Sequence, residues 1–329
     1  MNDSHNPITN NQREFRYLRV SVTDRCNLRC RYCMPPQGIS LLRHQDILSY
    51  EELAAVARAA ASLGVTSVRI TGGEPLARRG IANLVRLLRE IDGLADLSMT
   101  TNGTLLAPAA EALARAGLDR VNISMDSLDP DEYAAITRGG DLRDALAGVE
   151  ASLAAGLHPV KDNAVMTGAH NDGGLRRWLD PFVELARAKP VHVRFIELMP
   201  VGGIRYGEPC GRHAAAMIEA YGAAPARDTI AGAGPARYWR LDGALGSLGL
   251  IAPMSEPFCD RCNRLRLTAR GEVRSCLFSP ANVDLMPLLR PRVRAASLAA
   301  ALAQSWRRKP RARESDTPAA ASSMCQIGG

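Results

Sequence analysis

Aromatic residues make up only 5% of the 329-residue chain, too few for a surface that stacks unpaired bases. No apolar run approaches the roughly 18 to 20 residues that cross a bilayer, and the stretch from Met1 to Glu14 is polar, without the apolar core of a secretory signal. A membrane is therefore not an expected partner, and the chain is expected in the cytoplasm. There thiols stay reduced, and close-set cysteines bind metal more often than they form disulfides. No G-x4-G-K-[ST] sequence occurs either, so a P-loop is excluded as a phosphate cradle.

What is present is an ordinary globular composition, 46% apolar and 23% charged, with a net charge of +7 and eight cysteines. The charge and the thiols raise two expectations, a polyanion and a cysteine-held metal. The segment from Pro287 to Arg313 holds Arg290, Arg292, Arg294, Arg307, Arg308, Lys309, Arg311 and Arg313 and no acid. The basic excess thus belongs to the C-terminal region, and nucleic acid is not expected as the partner.

Short period-two runs alternate with helical stretches, the pattern of βα units on a parallel sheet. Six strands are predicted: Tyr17–Thr23, Val65–Thr71, Leu97–Thr101, Arg120–Met125, Val160–Val165 and Val191–Leu198. Ser49 and Glu52 have capping-box spacing ahead of Leu53, Val56, Ala60 and Leu63, and Gly117 is a stop after Ala109–Ala116. A closed barrel of this type needs eight strands. The expected fold is therefore α/β, an incomplete (β/α)6 TIM-type barrel (15–200) after a mobile N-terminus (1–14), with a C-terminal α+β extension (201–329) closing the open side.

Strand faces say more than the strand count. Leu18, Val20, Val68, Ile70, Leu97, Met99, Val121 and Ile123 share one face, while Arg19, Ser21, Arg69, Thr71, Ser98, Thr100, Asn122, Ser124, Lys161 and Asn163 take the other. A polar inner face implies a wet lumen that holds a ligand, and Arg19, Arg69 and Lys161 make it cationic, suited to a polyphosphate. Pairing of these cations with an acid such as Asp126 is the plainer alternative.

The thiols fall into two sets. Cys26, Cys30 and Cys33 form C-x3-C-x2-C just beyond the first strand, and Cys259, Cys262 and Cys276 form C-x2-C-x13-C. Structural zinc wants four ligands. Three on a four-iron cluster leave one iron open. Cys210 or Cys325 could still complete a zinc site with the second set.

The first loop, with Thr71-Gly72-Gly73-Glu74-Pro75 ending the second strand, resembles the radical S-adenosylmethionine superfamily. Phe258-Cys-Asp-Arg-Cys-Asn-Arg-Leu-Arg266 and the chain end Ile327-Gly328-Gly329 narrow the resemblance to the GTP 3′,8-cyclase family of molybdenum cofactor biosynthesis. It runs from about Phe15 to Gly329. It implies two [4Fe-4S] clusters, on Cys26, Cys30 and Cys33 and on Cys259, Cys262 and Cys276. Reductive cleavage of S-adenosylmethionine at the first would give a 5′-deoxyadenosyl radical that takes the 3′ hydrogen of GTP, after which the ribose carbon attacks guanine C8. Tyr32, Gly73, Glu74, Ser124 and Met199 match cofactor-binding positions. Arg19, Arg69, Thr100, Lys161, Arg264, Leu265 and Arg266 match GTP-binding ones, and Arg264, Arg266, Gly328 and Gly329 are implied in catalysis. The implied partners are cyclic pyranopterin monophosphate synthase and a reducing electron donor, with the chain a monomer or a homodimer. Two other functions compete: a peptide-modifying enzyme of the same superfamily and a zinc-bearing nucleic-acid-binding protein. Asp162, on the apolar face where the family has an aliphatic residue, must find a partner, be exposed or weaken the strand, and the loop Val201–Arg212 departs from the family text.

Overall fold

The computed structural model describes residues 8–10, 13–167, 172–201, 210–226, 228, 230–232, 234–312 and 323–328. Its centre is a run of parallel strands, Tyr17–Ser21 (β3), Ser67–Thr71 (β4), Asp96–Thr101 (β5), Arg120–Ser124 (β6), Val160–Met166 (β7) and Val191–Glu197 (β8). They match the six predicted strands. The small ladder of Thr9–Asn10 (β1) with Arg13–Glu14 (β2) precedes them. The crossovers are helical: Tyr50–Ala61 (α1), Ile81–Arg89 (α2), Ala110–Arg115 (α3), Pro130–Thr137 (α4), Leu142–Ala154 (α5) and Asp172–Ala188 (α6).

Local chemistry sets these elements. Ser49 Oγ accepts from Glu52 N at 3.2 Å while Ser49 N donates to Glu52 at 2.7 Å, so the capping box forms and α1 buries Leu53, Val56 and Ala60. Gly117 stops α3 at φ +98°, a left-handed conformation costly for any other residue. Leu18, Val20, Val68, Ile70, Leu97, Met99, Val121 and Ile123 are all buried against the helices. Each contributes about 1.5–3 kcal/mol on burial, so the outer face stabilises the barrel and the inner face is free to carry polar groups.

The C-terminal region adds strands to the sheet itself. Ser247–Ile251 (β11) pairs parallel with β8, and Arg264–Leu267 (β12) pairs parallel with β3, so the parallel run has eight strands, not six. Ala224–Pro225 (β9) and Arg237–Arg240 (β10) extend one edge, and Glu272–Arg274 (β13) and Val283–Asp284 (β14) the other. Among the described residues the two edges do not pair with each other, so the barrel stays open. Gly211–Ala220 (α7), Met286–Leu289 (α8) and Ala295–Arg307 (α9) complete it.

One expectation needs correction. The N-terminus is not loose up to Glu14. β1 and β2 pair, and Asn10 Nδ2 donates to Trp306 O at 2.7 Å while Arg13 donates to Cys259 O and Lys309 O, at 2.9 and 3.1 Å, tying the ladder to the C-terminal segment. Phe15 also stacks on Trp306 at 5.3 Å. In the basic C-terminal segment Arg290 forks onto Glu52 at 2.6 and 2.9 Å and Lys309 is buried, while Arg292, Arg294, Arg307, Arg308 and Arg311 are exposed. No helix among the described residues is long and apolar enough to cross a membrane.

Candidate active site

The two thiol sets lie at opposite ends of the barrel. Cys26, Cys30 and Cys33 follow the C-terminal end of β3, whereas Tyr17 N, at its start, donates to Asn263 O, next to Cys262. The five residues of β3, at about 3.3 Å each, put on the order of 16 Å of strand between the sets. All six thiols are partly exposed. No three His, Cys, Asp or Glu side chains among the described residues converge tightly enough for a single metal ion. Cys210 packs by Met166 and Cys325 lies at the first set, so neither completes a zinc site with the second.

At the first end the Gly-Gly-Glu-Pro turn zips onto the root of the thiol loop. Gly73 N donates to Thr23 O at 2.7 Å and Glu74 N to Arg25 O at 2.8 Å. A Cβ on Gly73 would stand 2.3 Å from Arg25 O, so glycine is required for the loop's own backbone to approach. Glu74 is fully buried and accepts from Leu76 N, Thr101 Oγ1 and Asn102 N at 3.0, 2.7 and 2.7 Å. Burial holds its carboxyl up at about 6 despite those donors. Its carboxylate therefore braces two loops, where the resemblance implied a cofactor-binding one. Leu28 N and Asn102 Nδ2 point at Cys26 Sγ, at 3.4 and 3.9 Å, the N–H···S contacts that suit a cluster ligand.

Tyr32 donates to Asp126 at 2.7 Å, and Val165 N adds a bond at 2.8 Å, while burial raises Asp126 to about 6. Asp126 is thus engaged with the first end and does not neutralise the lumen cations. Tyr32, Val165 and Met199 line a small cavity of about 30 Å³ with Met324 of the tail. Ser124 stands half-buried at the end of β6, opposite Asn163. Cys325, which the sequence left without a role, is buried beside Cys33. Gly328 O accepts from Arg19 at 3.2 Å, and Gly328 abuts Thr71 and Ser21, so the tail reaches the barrel mouth. Gly329 lies outside the described residues.

Between the ends runs a ladder of cations. Arg266, Arg19, Arg69 and Ser98 stand in one register across β12, β3, β4 and β5, and Asn122, Lys161 and His192 in another across β6, β7 and β8. Burial lowers Arg69 and Arg266 to about 10, and lowers Arg19, with Arg266 and Arg69 reinforcing the last. Lys161 falls to about 6 through burial and then through Arg194, Arg120 and Arg69. Arg69 Nε donates to Ser98 at 3.1 Å, Lys161 to Ala231 O at 2.6 Å, and Arg194 to Asn122 at 2.7 Å. Asp96 pairs with Arg120 at 2.7 Å. Thr100 Oγ1, Asn163 Oδ1 and Arg120 Nη1 are buried without a hydrogen-bond partner among the described residues. Buried cations with the orphaned donors of Thr100 and Arg120 fit a polyanionic ligand.

Arg120 and Arg194 are ladder residues that the face reading missed. Period two from Asn122 reaches Arg120, and the same alternation through Val191, Val193 and Phe195 puts His192 and Arg194 on the lumen face. Leu265 goes the other way: in register with Leu18, it is buried in the apolar core, so only its backbone can face a ligand. Asp162 Oδ1 accepts from Met125 N at 3.1 Å, while Oδ2 is buried without a hydrogen-bond partner among the described residues, and burial followed by Asp126 holds the carboxyl well above the usual carboxylate range.

At the second end the electrostatics reverse. Arg264 lies over the Phe258 ring at 5.2 Å. Burial pushes the Cys262 thiol up, but Arg264 and Lys309 outweigh it and bring it down to about 6. A thiolate there is ready to ligate.

Residues 20–180 match the model of the Radical SAM superfamily, and 191–315 that of Molybdenum Cofactor Synthesis C. The chain is 48% identical over 309 residues to the GTP 3′,8-cyclase of Pelotomaculum thermopropionicum, covering 91% of this chain and 92% of that protein. To the GTP 3′,8-cyclase of Moorella thermoacetica it is 47% identical over 327 residues, 97% and 98% of the two chains. Among solved structures, Streptococcus suis SuiB superposes with a TM-score of 0.61 at 14% identity, over 91% of this chain and 68% of that one, a likeness of fold alone. An iron–sulfur core for S-adenosylmethionine on a partial TIM-type barrel, and this identity along nearly the whole length, make the chain a member of the GTP 3′,8-cyclase family of radical S-adenosylmethionine enzymes.

Proposed function

We propose that this chain cyclises GTP to (8S)-3′,8-cyclo-7,8-dihydroguanosine 5′-triphosphate in the cytoplasm, the first step of molybdenum cofactor biosynthesis. The observation that carries the reading is the buried cation ladder strung between two three-cysteine ends. Cys26, Cys30 and Cys33 would hold one four-iron cluster and Cys259, Cys262 and Cys276 the other, each leaving an iron open. When bound, the first supplies the electron that splits S-adenosylmethionine into methionine and a 5′-deoxyadenosyl radical.

The chain's own residues do the rest of the positioning. Tyr32, held by Asp126, with Gly73, Ser124 and Met199, frames the cofactor beside the first thiols. Arg19, Arg69, Lys161 and Arg194 neutralise a triphosphate, Thr100 supplies a hydroxyl, and Arg264 and Arg266 flank the base end near the second thiols. The tail carbonyl of Gly328 orients Arg19. A lumen of buried side chains excludes water from the radical. The product would pass to cyclic pyranopterin monophosphate synthase, and an external donor would supply the electrons.

Anaerobic reconstitution tests this: about eight irons per chain, and 5′-deoxyadenosine with a cyclised nucleotide when GTP is added. S-adenosylmethionine cleavage indifferent to GTP, with no nucleotide product, would return the chain to a peptide-modifying activity. Zinc in place of iron would favour the nucleic-acid reading.

A further inference from the structure

One side chain at the second thiol end joins segments far apart in sequence. Lys309, just after α9, is only 5% exposed. Its ammonium has three donors, and three acceptors meet it: Arg264 O at 3.0 Å, Ser275 O at 2.5 Å and the sulfur of Cys262. Ser275 immediately precedes Cys276, and Arg264 follows Cys262 by two residues. A single cation thus ties the paired-cysteine arm to the lone-cysteine arm. The ionisable groups that act on it are Cys262, Cys276 and Arg264. Its Nζ stands 5.7 Å from the Trp306 ring, which fixes the stem. Arg13 braces the remaining ligand, donating to Cys259 O at 2.9 Å and to Lys309 O at 3.1 Å.

We propose that Lys309 is a positioning residue of the second thiol site, holding Cys262 and Cys276 at cluster spacing and raising the reduction potential of the cluster they ligate. This rests on the proposed reading of Cys259, Cys262 and Cys276 as ligands. Reduction adds negative charge to a cluster, and a neighbouring cation with an N–H···S bond stabilises that state. Without Lys309 the cluster is harder to reduce, and two backbone carbonyls lose their donor.

The experiment uses the full-length chain with Cys26, Cys30 and Cys33 changed to Ala, which leaves the second site alone. Anaerobically reconstituted, this parent should carry about four irons, and a redox titration followed by electron paramagnetic resonance gives its midpoint. Lys309→Met should shift the midpoint to a more negative potential, and Lys309→Arg, which keeps charge and donors, should recover most of the shift. Iron lost from the Met variant but kept by the Arg variant equally supports the assignment. An unchanged midpoint in an iron-replete Met variant, or iron lost from both variants alike, overturns it. A parent with Lys309 intact that takes up no iron refutes instead the reading of the three cysteines, and the inference falls with it.

Discussion

The two ends of the barrel carry the same number of thiols in opposite surroundings. Around Cys26 and Cys30 the charged neighbours are Glu74 and Asp126, which add to burial in pushing the thiols up. Around Cys262 they are Arg264 and Lys309, which pull it down. Three cysteines therefore do not define a site; the charges around them do. The cation-lined end, continuous with the ladder of Arg19, Arg69, Lys161 and Arg194, suits a polyanion, whereas the carboxyls of the first end are taken up by Thr101, Asn102 and Tyr32.

The largest effect that would break this contrast is at the first end. Cys26→Ala should bring S-adenosylmethionine cleavage to background, measured as 5′-deoxyadenosine, while leaving GTP binding in place. Next, the lumen cations should sort ligands by charge. Arg194→Ala should weaken GTP about 10- to 100-fold, the worth of a hydrogen bond to a charged group, with S-adenosylmethionine affinity unchanged in equilibrium dialysis. Equal loss for both ligands would remove the distinction.

The third effect is in protons. Lys161, lowered to about 6, is mostly neutral at pH 7.5 before a ligand arrives. A bound triphosphate favours the ammonium, so binding should take up close to about one proton through Lys161, and tighten as pH falls towards 6. Calorimetry in buffers of different ionisation enthalpy would show this uptake in the parent and its loss in Lys161→Met. The smallest effect is expected at Asp162, whose folded carboxyl is raised above its unfolded value. Its contribution is fully present below the unfolded value, about 4, and is lost as pH rises. Asp162→Asn should therefore match the parent near pH 4 and be more stable by about 1 kcal/mol at pH 8, read from thermal unfolding.

Much of this was legible in the residues. Period-two alternation found the six central strands and the lumen positions Arg19, Arg69 and Lys161, because each side of a strand meets a different solvent. Ser49 and Glu52 announced their cap by spacing alone. What stayed hidden depends on pairing between distant segments. β11 and β12 are short, and nothing local says that they join the sheet parallel to β8 and β3. Glu74 looked like a ligand-facing acid until Thr101 and Asn102, from another strand's end, were seen to occupy it. Cys325 and Lys309 sit in low-periodicity text, and only the chain's return brings them to Cys33 and Cys262.

The most direct measurement is anaerobic turnover of Cys276→Ala with GTP, counting 5′-deoxyadenosine and cyclised nucleotide separately. A division of labour between the ends predicts that the first persists while the second disappears. Undiminished cyclised product, or loss of both together, would contradict it.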